Sequence, residues 1–102
     1  MAGASSIDLR LNAVQAICQQ YGVAKMALFG SVVRTDFTDH SDIDVLCSVL
    51  PDSPARGLRW IELALTLGDL WGRPVDLVKP HLLDESIRNR VLQEAQTIYV
   101  AP

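Results

Sequence analysis

The sequence predicts an α/β (α+β) domain in which a small central β-sheet is flanked by helices. Three observations support this class. In three segments, apolar residues recur at three- and four-residue spacing, the pattern of a helix with one buried face. Between them lie short apolar, β-branched runs stopped by glycine or proline, which read as strands. The two patterns alternate along the chain, as they do where helices and strands share one layered core. A chain of 102 residues holds one such domain, taken here as 1–102. Its 49% hydrophobic and 21% charged residues exclude a disordered chain.

The first helix is predicted over Ser6–Tyr21, where Ile7, Leu11, Val14, Cys18 and Tyr21 share a face. Ser5 or Ser6 is its N-cap, and Gly22 ends it. Lys25–Phe29 follows as a short apolar strand stopped at Gly30, with a short helix starting near Ser31. Asp42–Leu50 is the second strand, closed by Pro51-Asp52-Ser53-Pro54. A long helix runs over Pro54–Trp71 and ends at Gly72. Arg73–Lys79 is the third strand, bounded by Gly72 and Pro80. Asp84 caps a last helix carrying Ile87, Val91 and Ala95, before a short apolar end, Thr97–Val100. The predicted order is helix, strand, short helix, strand, helix, strand, helix.

Charge and cysteine usage exclude several function classes. A formal net charge of −3 weighs against a protein that grips nucleic acid through its phosphates, so no direct nucleic-acid binding is expected. No basic segment followed by an apolar one opens the chain, and no apolar stretch approaches the ~20 residues that span a bilayer. Cys18 and Cys47 lie in apolar runs and read as buried thiols of a reducing compartment. A cytoplasmic location, with no membrane contact, is the expectation.

The chemistry concentrates in Gly30–Val45, where Asp36, Asp39, Asp42 and Asp44 fall with no Lys or Arg after Arg34. Asp42 and Asp44 are two apart on the second strand, so both side chains take one face, about 6.5–7 Å apart along the chain. Adjacent ionised carboxylates repel unless a cation sits between them, and hard oxygen donors of this kind suit Mg²⁺ or Mn²⁺. A solvated strand end carries the same pattern. An EF-hand calcium loop is excluded, because Leu46 occupies its third ligand position and no glycine follows at the turn. Asp76 is an acid inside the apolar run Pro74-Val75-Asp76-Leu77-Val78; it either faces water or joins the Asp42/Asp44 pair. A third carboxylate there completes a two-metal site for phosphoryl displacement. Gly30-Ser31, at the end of a strand entering a helix, offers backbone N–H groups, close approach and a hydroxyl to a phosphate. Arg34, one turn on, meets a phosphate or pairs with Asp36. His40 and His81 read as loop residues rather than ligands.

These residues resemble a known family. Gly30-Ser31, ten intervening residues, then Asp42-Ile43-Asp44 match the Gly-Ser-x10-Asp-x-Asp signature of the DNA polymerase β-like nucleotidyltransferases. Leu28-Phe29-Gly30-Ser31, Ser41-Asp42-Ile43-Asp44-Val45-Leu46, Val75-Asp76-Leu77-Val78 and the closing Ile87–Ala95 segment resemble the minimal nucleotidyltransferase (MNT) domain. The likeness covers roughly Tyr21 to Tyr99. Thr35 stands where a glycine often follows the arginine, and Val32-Val33 is more apolar than the usual pair. The resemblance implies a polymerase β-like nucleotidyltransferase fold with a mixed sheet. It implies transfer of a nucleoside monophosphate, with ATP as nucleotide substrate and Mg²⁺ or Mn²⁺ as cofactor. It makes Asp42, Asp44 and Asp76 the catalytic and metal-holding residues, with Asp76 helping to activate the attacking hydroxyl. Gly30, Ser31 and Arg34 would hold the nucleotide.

MNT-like proteins commonly act as antitoxins to HEPN-domain toxins, some by adding AMP to a tyrosine. The resemblance therefore implies a HEPN-type toxin partner in a hetero-oligomer, and a Mg²⁺-dependent adenylyltransferase. The alternative is a non-catalytic antitoxin that neutralises by binding alone. The small chain shows no acceptor-binding domain, which also points to a partner protein. The Pro54–Trp71 helix offers the surface: Leu58, Ile61 and Leu65 form one apolar stripe, and Trp60, Leu63, Leu67 and Trp71 a second. Tryptophan is favoured at interface anchors, so Trp60 or Trp71 is the expected one.

Overall fold

The computed structural model describes residues 8–34, 37–38 and 40–102. A four-stranded sheet is built from β1 (Val23–Phe29), β2 (Ile43–Val49), β3 (Val75–Val78) and β4 (Gln96–Val100), in the spatial order β3-β2-β1-β4. β1 pairs antiparallel with β2 and β4, whereas β2 and β3 are parallel, so the sheet is mixed. The helices are α1 (Leu11–Gln20), α2 (Leu58–Trp71) and α3 (Glu85–Glu94). This is the expected α+β architecture.

Alternation along the strands divides the core into two layers of unequal depth. Met26 and Leu28 of β1 and Ile43, Val45 and Cys47 of β2 face α1 and α2, where Val14, Cys18, Leu63, Leu67 and Trp71 complete the main core. Ala27 and Leu46 face the opposite way, against Leu83 and Val91, with Phe29, Val78 and Ala95 packed beside them. α3 thus covers the thinner side. Cys18 and Cys47 are buried free thiols, both pushed up to about 12 by burial.

Four sequence expectations need correction. The first helix begins at Leu11, not Ser6: Asp8 accepts a hydrogen bond from the N–H of Arg10 (3.1 Å), and Arg10 turns left-handed at φ 51°. A local aspartate turn outcompetes the extra helical turn there. Ser5, Ser6 and Ile7 lie outside the described residues, and Leu11 is exposed rather than on a buried face. The long helix begins at Leu58, not Pro54, because the chain first passes through Gly57 at φ 55°. The segment expected only as a short apolar end, Thr97–Val100, is a fourth strand. Its Gln96-Thr97-Ile98-Tyr99-Val100 run covers the free edge of β1, and Tyr99 is buried.

The fourth correction concerns α2. Its Leu63, Leu67 and Trp71 stripe faces the core, and the Trp71 indole N–H donates to the carbonyl of Leu9 at 2.9 Å. Trp71 is therefore a core residue and not an interface anchor. Trp60 is half-buried, with the Lys79 ammonium 4.9 Å from its ring centroid. The other stripe, Leu58, Ile61 and Leu65, is 83%, 53% and 65% exposed. The cap of α3 is as expected: Asp84 accepts from the backbone N–H of Ser86 at 3.0 Å.

Candidate active site

Register, rather than sequence spacing, brings the acids together. In the parallel β2–β3 ladder the Cα partners are Ile43 with Val75, Asp44 with Asp76 and Val45 with Leu77. Asp44 and Asp76 are therefore lateral neighbours on one sheet face, with strands about 4.8 Å apart. Asp42 stands just before the first residue of β2, near enough for its charge to act on Asp44. The face of Asp44 and Asp76 is the one that α3 covers, its Val91 packing with Ala27 and Leu46. Asp42 and Asp76 are exposed and Asp44 is half-buried.

Asp44 carries the electrostatic cost of this arrangement. Burial raises its pKa above the ordinary carboxylate value, the charges of Asp76 and Asp42 raise it further, and Arg34 opposes them. Such a carboxyl is destabilised as an anion unless a positive group arrives. Among the described residues, no group of three carboxylate, imidazole or thiol side chains already stands arranged to hold a metal ion. The donor chemistry nevertheless fits a divalent cation: hard carboxylate oxygens on one open face, one of them short of positive charge.

On the other side of β2, Phe29 is the Cα partner of Asp44, which places the next residue, Gly30, directly against the acid. Gly30 is buried with φ 74°, and a Cβ added to it would lie 2.2 Å from Oδ2 of Asp44. Only glycine satisfies both the left-handed backbone and the close approach. It opens a single 3₁₀ turn, Gly30–Val33, with Ser31 half-buried in it. The turn is shorter than the helix expected at Ser31, and the Gly30 N–H is not left open. It donates to Oε2 of Glu94 at 2.8 Å. Arg34, at the end of the turn, places Nη1 3.1 and 3.2 Å from Oε1 and Oε2 of the same carboxylate. Thr35, Asp36 and Asp39 lie outside the described residues, and with them the pairing of Arg34 with Asp36 that was the alternative to a phosphate contact.

Two residues of the site have no assigned role in the sequence reading. Glu94 is the first, sixty-four residues from the glycine it holds. An acid at a helix C-terminus is disfavoured by the helix dipole, and that misplacement was the available signal. The second is Arg73, whose Nη1 donates to the carbonyls of Thr38 (2.7 Å) and Ser41 (3.0 Å) and whose guanidinium stacks 4.7 Å from the Phe37 ring centroid. It fastens the segment that delivers Asp42 to the strand. His40 is an exposed loop residue, as expected, whereas His81, also exposed, lies in a 3₁₀ turn, Pro80–Leu82.

Residues 12–101 match the family model described as polymerase beta, nucleotidyltransferase. The protein adenylyltransferase MntA of Thermococcus cleftensis is 37% identical over 82 residues, covering 80% of this chain and 79% of its own. A solved structure of a candidate minimal nucleotidyltransferase superposes with a TM-score of 0.69 at 34% identity, over 84% of this chain and 86% of that one. A toxin–antitoxin complex solved with AMP-PNP gives a TM-score of 0.71 at 20% identity, over 91% of this chain and 75% of that one, a likeness of fold. The chain belongs to the polymerase β nucleotidyltransferase family. Within that family its place is among the minimal nucleotidyltransferases. No helix among the described residues is long and apolar enough to cross a membrane.

Proposed function

We propose that this chain is a Mg²⁺-dependent adenylyltransferase antitoxin that moves AMP from ATP to a hydroxyl, that of a tyrosine, on a HEPN-type toxin. The observation that carries the reading is the lateral pairing of Asp44 with Asp76, with Gly30 pressed against the same carboxylate. Asp42, Asp44 and Asp76 would hold the Mg²⁺ or Mn²⁺, which when bound neutralises charge on the attacking and leaving oxygens. Gly30, Ser31 and Arg34 bind and orient the triphosphate. Asp76 accepts the proton of the attacking hydroxyl. The hydroxyl oxygen then bonds to the α-phosphorus, and pyrophosphate leaves.

The partner assignment draws support from relatives. The Thermococcus relative is named a protein adenylyltransferase. A structural neighbour is the MNT antitoxin bound to a tri-AMPylated HEPN toxin of Shewanella oneidensis, at 18% identity and a TM-score of 0.61. The exposed Leu58, Ile61 and Leu65 stripe offers an apolar surface for such a partner. That same stripe also favours a second reading, neutralisation by covering alone. Labelled ATP separates the two. With transfer, label at the α-phosphate follows the toxin while label at the γ-phosphate leaves in pyrophosphate. Protection with no α-label on the toxin supports covering alone and contradicts the transfer reading.

A further inference from the structure

The carboxylate of Glu94 touches both groups that the proposed reading assigns to nucleotide phosphates. Its Oε2 takes the Gly30 N–H at 2.8 Å, and both its oxygens lie within 3.2 Å of Arg34 Nη1. A backbone N–H beside a guanidinium is the donor set that binds a phosphate oxygen, and here a side chain of the chain itself fills it. Glu94 is the last residue of α3, where the helix dipole disfavours an anion, so the cradle and not the helix holds it there. The contact is also reachable from solvent, with the Arg34 and Glu94 side chains 46% and 20% exposed.

We propose that Glu94 is a resident anion of the phosphate cradle, which nucleotide phosphates displace when they bind. This rests on the nucleotidyltransferase reading and deepens it. A triphosphate brings more charge than one carboxylate and takes the same donors, so exchange favours the nucleotide. The displaced carboxylate must find water, and this cost lowers the apparent affinity.

The test is equilibrium binding of inorganic tripolyphosphate, and separately of AMP-PNP with Mg²⁺, to the full chain and to Glu94→Gln and Glu94→Ala. Folding of each variant is checked by circular dichroism and melting. Glutamine keeps the length and an acceptor for Gly30 but surrenders the charge on Arg34. Both variants are expected to bind each probe more tightly, on the order of tenfold for the loss of one charge-assisted pair. In the unliganded chain the Gly30 amide resonance should move on Glu94→Gln, and on tripolyphosphate binding to the wild type. Weaker or unchanged binding by folded variants overturns the proposal, because Glu94 then shapes the cradle rather than filling it. Absence of binding by every form, wild type included, overturns the nucleotidyltransferase reading and this proposal with it.

Discussion

Oδ2 of Asp44 stands 2.2 Å from where any side chain at position 30 would place its Cβ, with Cγ and Cβ of the acid at 3.1 and 3.3 Å. Gly30 is thus a wall of the acid site and not merely a flexible turn residue. Gly30→Ala must push Asp44 aside and also hold alanine at φ 74°. We expect a loss of roughly 1–3 kcal/mol in stability from the backbone alone. Activity should fall further than stability, because Asp44 is displaced. Denaturant unfolding and transfer rates on the same preparation check this; an active, equally stable Gly30→Ala would contradict the geometry.

Asp44 also predicts a pH dependence. Its folded-state pKa is raised above the ordinary 3.8, chiefly by burial and then by Asp76 and Asp42. The folded chain therefore binds that proton more tightly than the unfolded chain. Stability contributed by the protonated form is complete below 3.8 and is lost as pH rises through the raised value. At pH 7, without divalent cations, Asp44→Asn should melt at a higher temperature than the wild type. Well below pH 3.8 the two should converge. Added Mg²⁺ should raise the wild-type Tm by ligand linkage and leave the variant unmoved. A lower Tm for Asp44→Asn at pH 7 would count against the electrostatic account.

The exposed face of α2 predicts a separation of binding from folding. Ile61→Glu with Leu65→Glu changes residues that face solvent, so the isolated chain should lose no more than about 0.5 kcal/mol per site. Complex formation with the proposed HEPN-type partner should weaken by at least an order of magnitude if this stripe is the buried centre of the interface. Calorimetry of the complex, beside a melt of the free chain, reads both effects. Unchanged affinity would move the interface elsewhere.

The parts of the fold legible in sequence are those governed by local patterns. The glycine at 30, the Asp84 cap and Asp44 on an apolar strand all act within a few residues and appear where their patterns place them, while Asp42 falls just before the strand that was expected to begin with it. What stayed hidden depends on partners distant in the chain. The register that sets Asp44 beside Asp76 follows from strand pairing across α2. The two apolar stripes of α2 look alike in sequence, and only packing decides that Trp71 is buried while Leu65 is exposed. In sequence β4 reads only as a short apolar end, because its reason for being a strand is the free edge of β1. Helix starts shifted where Asp8 and Gly57 set the backbone locally, a competition that periodicity does not register.

The most direct test of the central claim is the intact mass of the HEPN-type partner after incubation with this chain, ATP and Mg²⁺. The account predicts a gain of one or more adenylyl groups with the wild type. With Asp44→Asn, which still folds and still binds the partner, it predicts none. Unchanged modification by Asp44→Asn, or no mass gain with the wild type in a complex that neutralises the toxin, would contradict it.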